Sequence, residues 1–161
     1  MKRCDLMHQI NTRGTFLFSK LCIPHLRESA KHGRNPHILN LSPPLNMHPQ
    51  FFSPHVAYTT ANRYGMSMCV LGMAQELKDD GIAVNALWPL TTAEMLNLTP
   101  KGQGSRHPDI MADAAHAILK KEGMSYTGNF AVDQDILKAE GVTNFDKYAI
   151  VPSKFSSVSV M

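Results

Sequence analysis

Three short apolar runs, each preceded by a segment of helical pattern, constrain this chain more than any other feature. The runs are His37-Ile38-Leu39-Asn40-Leu41-Ser42, cut off by Pro43-Pro44; Ile82 to Pro89; and Tyr126 to Val132, with Gly128 inside it. Apolar runs of this length between turn residues read as buried strands. The helical segments run from Asp5 to Lys31, from His55 to Asp80 and from Asp109 to Lys121. In the first, Leu6, Ile10, Leu17 and Leu21 recur near helical spacing, and Gly33 is a natural stop. Pro24 is expected to kink this helix or end a turn. The second closes on Lys78-Asp79-Asp80-Gly81. In the third, Ile110, Ala114, Ala117 and Ile118 are expected to face inward. A short helix follows near Asp135–Glu140, and loops are expected at Pro44–Pro54 and Lys101–Pro108.

Helix and strand alternating in this way is the pattern of parallel βαβ units. Right-handed crossovers would set the strands side by side with helices on both faces. The expected fold class is α/β, a partial doubly wound (Rossmann-like) parallel sheet of about three strands. The strand at His37 would be an open edge, since Ile38, Leu39 and Leu41 bring no charge to blunt it. A long helix with no strand before it has the look of half a fold. One domain is expected over 1–152, with a flexible polar tail at 153–161.

At 161 residues the chain can bury about two-thirds of its unfolded surface, enough for a core without staples. Hydrophobic residues at 43% against 18% charged, with ten Gly and ten Pro, exclude wholesale disorder. A net charge of +3, scattered along the chain, gives no argument for nucleic acid. Cys4, Cys22 and Cys69 form neither an even framework nor a C-x-x-C pair, which favours a reduced, intracellular compartment. The apolar stretch Phe16 to Ile23 carries Lys20 and is far too short to span a bilayer. Met1-Lys2-Arg3-Cys4-Asp5 leads into no apolar signal region. The eight histidines are scattered with no cysteine at zinc spacing, so no metal site is expected.

Several blocks resemble the later half of a short-chain dehydrogenase/reductase. They are Asn11-Thr12-Arg13-Gly14-Thr15, Ile38-Leu39-Asn40-Leu41-Ser42, Tyr58 near the start of a long helix, Tyr64-Gly65-Met66-Ser67-Met68, Val70-Leu71-Gly72-Met73-Ala74, Val84-Asn85-Ala86-Leu87-Trp88-Pro89, Met111 to Ala115 and Thr127-Gly128-Asn129-Phe130. The resemblance runs in order from the first residues to about Pro152. It implies oxidoreduction of a carbonyl or alcohol with an NAD(P) cofactor, on a small-molecule substrate that is lipid- or steroid-related. It implies that Tyr58 passes a proton to or from the substrate oxygen, that Ser42 holds that oxygen, and that Asn11 steadies a water in the relay. It further implies Asn62, Arg63, Pro89 and Thr91 as cofactor-side positions, and a homodimer, or a heterodimer with a full-length relative, through the two long helices. Peroxisome or mitochondrion are the compartments it suggests, although no targeting signal is read here.

Two departures bear on the chemistry. The family's glycine-rich turn lets backbone approach a pyrophosphate at a helix N-terminus. None of the ten glycines forms that spacing after a strand, and Gly102-Gln103-Gly104 is the one G-x-G. The N-terminal nucleotide-binding half of the family fold is therefore expected to be lacking. The family lysine stands four residues past the tyrosine and lowers the phenol pKa, which otherwise lies near 10. Here that position is Asn62, followed by Arg63. In a regular helix Arg63 turns away from Tyr58, and a π-bulge would bring it back. Even then a guanidinium is a poor stand-in for an ammonium. The fragment is accordingly expected to be inactive, with a non-catalytic interaction protein or an incomplete gene model as the alternatives.

Plainer roles stand beside these. Ser42 and Tyr58 alone are an ordinary strand-end serine and helix tyrosine. Asn11 could hydrogen-bond nearby backbone. Met66, Met68 and Met73 suit core filling as well as a helix interface, where Ala61, Gly65 and Gly72 would permit close approach. Cys69 is expected to be buried and inert.

Overall fold

The computed structural model describes residues 2–45, 64–90 and 106–150. Helix α1 (Lys2–His8), a π-helical turn (Gln9–Arg13) and α2 (Gly14–Lys31) form one continuous helical run. Strand β1 (His37–Leu41), helix α3 (Gly65–Glu76) and strand β2 (Ala83–Trp88) follow. Then come α4 (Asp109–Leu119), a 3₁₀ turn (Gly123–Ser125), β3 (Phe130–Val132), α5 (Asp133–Ala139) and a last 3₁₀ turn (Asp146–Tyr148).

The strands form one parallel sheet in the order β1-β2-β3. His37 pairs with Ala83 and Leu41 with Leu87; Ala86 pairs with Phe130 and Trp88 with Val132. The expected α/β, Rossmann-like parallel sheet of three strands with flanking helices is what the chain forms.

Alternation along β2 builds the two cores. Val84 and Ala86 point to one face, where Val70, Met73, Ala74 and Leu77 of the α3 segment pack with Ile23, Leu26 and Ile38. Leu87 points to the other, against Ile110, Ala114, Ala117 and Ile118 of α4 and Ile136 and Leu137 of α5. The four inward positions expected of α4 are all buried. Each large aliphatic side chain removed from water here contributes about 1.5–3 kcal/mol. Because β2 is covered on both faces and paired on both sides, it is buried from Ala83 to Leu87.

Three local expectations need correction. Pro24 neither ends nor breaks its helix; α2 continues to Lys31. The irregularity lies earlier, where Gly14 N–H reaches back five residues to the Gln9 carbonyl. β1 is not a buried strand: His37 to Asn40 are half-buried and Leu41 is 60% exposed, because among the described residues β1 pairs only with β2. The third strand is shorter than Tyr126–Val132, for Gly128 takes φ 77° and sits in the turn leading into it. Helical stops at Gly33 (φ 69°) and Gly81 (φ 71°) fall where expected, since only glycine adopts that backbone without strain. The first part of the second long helix, 55–63, and the tail 153–161 lie outside the described residues.

Candidate functional site

The carboxyl ends of β1 and β2 lie side by side, and the residues that follow them make the candidate site. Ser42 extends the ladder by one bond, its N–H donating to the Leu87 carbonyl at 3.2 Å. Its residue exposure is 1%. The Trp88 indole Nε1–H donates to Ser42 Oγ at 3.1 Å. The indole ring lies 5.1 Å from the Phe130 ring, tilted at 40°, so β3 supports it from behind. Pro89 comes directly after Trp88. The register therefore brings two expected site residues, Ser42 and Pro89, together at the carboxyl ends of the strands, the end at which open α/β sheets bind ligands.

Asn11 sits within the π-helical turn. Its Nδ2 donates to the Met7 carbonyl at 2.9 Å, so the side chain answers a carbonyl of its own helix. The turn packs on α3 at a glycine. A Cβ added to Gly65 would stand 2.9 Å from Thr12 Cβ and nearer still to Thr12 Oγ1 and Cγ2. Gly65 thus serves contact within the chain, whereas Gly72 faces open space. Tyr58, Asn62, Arg63 and Thr91 lie outside the described residues. Tyr64, the first described residue of the helix that Tyr58 was assigned to, is π-helical.

A buried polar cluster stands next to the end of β2. Asp133, fully buried at the start of α5, accepts from Leu90 N at 3.3 Å and Gln134 N at 2.6 Å. Arg106 hydrogen-bonds Gln134, and its Nη1 stands 3.6 Å from Asp133 Oδ1. Burial pushes the Asp133 carboxyl up, against the pull of the two N–H groups and of Arg106. A second latch is Asn85 at the centre of β2. Its Nδ2 donates to the Tyr126 carbonyl at 2.8 Å, and its Oδ1 accepts from Asn129 N at 3.0 Å and Asn129 Nδ2 at 3.1 Å.

The sequence reading missed Trp88 and Asp133. A donor-only indole at the last residue of a strand, one step before proline, was a usable signal for the first. For Asp133 the signal was weaker, a carboxylate directly after an apolar run. Between α2 and β1 a groove of about 450 Å³ is lined by Gly14, Phe18, Cys22, Leu26, Ile38 and Asn40. Leu6, Ile10, Leu17, Phe18, Leu21 and Met68 are exposed on the helices beside it, Phe18 by 72%. Met73 is core, whereas Met68 is exposed. Cys69 is half-buried, and burial pushes its thiol up, away from reactivity.

The glycines test the fit of a dinucleotide. Gly65 is pressed on Thr12 and Gly123 on Asn35 and Ala83, while Gly33, Gly81, Gly128 and Gly141 make positive-φ turns. None of these, among the described residues, forms a phosphate cradle after a strand. The described residues therefore do not fit the pyrophosphate of NAD(P). No group of three or more metal-ligating side chains occurs among them, and no helix among them is long and apolar enough to cross a membrane.

No protein-family model matches the chain. It is 57% identical over 157 residues to hydroxysteroid dehydrogenase-like protein 2 of Danio rerio, covering 94% of this chain and 36% of the relative. The proteins of the same name from Bos taurus and Homo sapiens are 58% and 56% identical over 156 residues, with the same coverage. The chain thus spans little more than a third of these relatives. A short chain dehydrogenase from Mycobacterium thermoresistibile superposes with a TM-score of 0.79 at 42% identity, over 96% of this chain and 55% of that one. A solved chain from Xanthomonas campestris gives 0.81 at 41% identity, over 96% and 56%.

Proposed function

Because the chain belongs to the short-chain dehydrogenase family, we propose that it carries the proton-handling side of an NAD(P)-dependent oxidoreductase site for a carbonyl or alcohol. The substrate class proposed is lipid- or steroid-related. The observation behind this reading is the buried Ser42 hydroxyl, held by Trp88 at the carboxyl end of β1 beside Pro89. In the proposed assignment Ser42 donates to the substrate oxygen, Tyr58 exchanges the proton, and Asn11 steadies a water. The same assignment sets Pro89, Thr91, Asn62 and Arg63 on the cofactor side of the site.

By itself this polypeptide is proposed to turn over no substrate. In this assignment Asn62 offers Tyr58 no charge, so the activation that a lysine four residues past the tyrosine supplies is missing. The described residues also offer no phosphate cradle. Calorimetric titration of the purified chain with NADH and NADPH tests this: no saturable heat is expected, and tight saturable uptake of either refutes it. A Tyr58 titration midpoint near neutrality would refute the statement about the phenol.

A second reading, a non-catalytic interaction protein, is favoured by the exposed apolar side chains Leu6, Ile10, Phe18, Leu21 and Met68. Patches of this kind mark interaction surfaces. Pairing would join two copies, or one copy and a full-length relative, through α1–α2 and α3. Sedimentation that stays monomeric at every concentration argues against it. Peroxisome and mitochondrion stay the proposed compartments.

A further inference from the structure

The geometry points to Trp88 as a positioning residue: its indole N–H fixes the Ser42 hydroxyl as a hydrogen-bond donor for a carbonyl oxygen. This rests on the reading that Ser42 holds that oxygen. A serine hydroxyl can donate once and accept twice, and in isolation it rotates to suit its neighbours. An indole N–H can only donate. With Nε1 at 3.1 Å, Ser42 Oγ must accept from Trp88, and its own hydrogen is left for another acceptor.

Three features make this more than a chance contact. Ser42 is 1% exposed, so its neighbours rather than bulk water orient the hydroxyl. Its backbone is pinned by the bond to Leu87 O, the residue just before Trp88, so donor and acceptor ride on the same pair of strand ends. The Phe130 ring of β3, 5.1 Å away and tilted at 40°, braces the indole on one side. A hydroxyl that accepts one hydrogen bond also becomes a stronger donor in the next, since such chains polarise one another. Trp88 therefore does for the serine what a hydrogen-bonding carboxylate does for a metal-bound histidine: it selects one of several orientations.

Trp88 is the only tryptophan, so its indole gives a single ¹⁵N–¹H resonance. The experiment follows that resonance in the full chain. In Ser42→Ala the indole proton is expected to move upfield and to exchange with solvent roughly fivefold faster, the effect of losing one hydrogen bond. Ser42→Thr, which keeps a hydroxyl, is expected to restore most of both. Titrating the wild-type chain with cyclohexanone is expected to move the proton downfield, as Ser42 donates to the ketone and accepts more strongly from Trp88. Methylenecyclohexane, the same shape without the oxygen, is expected to leave it in place.

An indole resonance unchanged in Ser42→Ala overturns the positioning role whatever the ketone does. A resonance that responds to Ser42→Ala but not to saturating cyclohexanone overturns the reading of Ser42 as carbonyl holder, and the positioning role falls with it. Should Ser42→Ala fail to fold, the wild-type indole decides alone. A temperature coefficient and exchange rate like those of a free indole refute the hydrogen bond, and protected values support it.

Discussion

Replacing Asn85 by Ala tests how the middle strand is latched to the segment that leads into β3. Asn85 is 0% exposed and makes three hydrogen bonds, to Tyr126 O, Asn129 N and Asn129 Nδ2. The Asn129 side chain is half-exposed and can turn to water. The Tyr126 carbonyl and the Asn129 N–H are backbone groups in a fixed turn and cannot. Stranding a buried polar group costs about 1–3 kcal/mol, so two of them, with a small cavity, give about 3 kcal/mol. Against a typical total of about 5–15 kcal/mol this is a large fraction. Urea unfolding reads it directly: with a slope of about 1–3 kcal/mol/M, the midpoint is expected to fall by about 1–3 M. Asn85→Leu should be no better, since it fills the space but restores neither bond.

Asn85→Asp sharpens the test through pH. A carboxylate still accepts from Asn129 N, but it sets a second oxygen against the Tyr126 carbonyl. Protonation restores the donor, so this acid should titrate higher when folded than when unfolded. The folded state then binds the extra proton, and the stability of this variant is lost as pH rises through the folded pKa. Asn85→Asp should therefore be firmer near about pH 5 than near about pH 7 relative to wild type. A cost below about 1 kcal/mol for Asn85→Ala, or an opposite pH trend for Asn85→Asp, would show that these bonds do not hold the turn.

Other perturbations bear on other joints. Gly65→Ala presses a methyl into Thr12 and should cost about 1–3 kcal/mol by chemical denaturation, with Thr12→Ala recovering part in a double-mutant cycle. Burial holds the His37 imidazole below its ordinary range, against the pull of the Lys121 carbonyl and Glu122. The unfolded chain then binds the proton first, so stability should fall as pH drops through about 6.5, and His37→Gln should flatten that slope in thermal melts. Tyr148→Phe removes the hydroxyl that donates to Asp113 at 2.5 Å and should cost about 1 kcal/mol. It should also let the Asp113 carboxyl, now held low chiefly by that bond, titrate closer to its ordinary range in NMR.

Much of the architecture was legible because local pattern and global topology agree. The alternation of helix and strand, the stops at Gly33 and Gly81 and the inward face of α4 all rest on periodicity or on backbone freedom, which sequence carries directly. At Pro24 a proline costs the helix one hydrogen bond, yet α2 runs on through it to Lys31. The π-helical turn at Gln9–Arg13 left no such mark, since any residue type can occupy it. Of the site, Ser42 and Pro89 could be placed from strand ends alone. Trp88 could not, because its role depends on a register that sets it beside Ser42, and register belongs to the sheet rather than to either segment.

The strands lie in the sheet in the order in which they are synthesised, and β2 is the member both others need. Among the described residues, the strand partner of His37 is Ala83. At about 5–20 residues per second, the nascent β1 waits about 2–9 s for its neighbour. During that interval Ile38, Leu39 and Leu41 travel without the strand they pair with in the finished sheet. The ribosome's pace across 38–88, rather than any step in the finished molecule, then sets how long this chain is open to capture by chaperones or by its own kind.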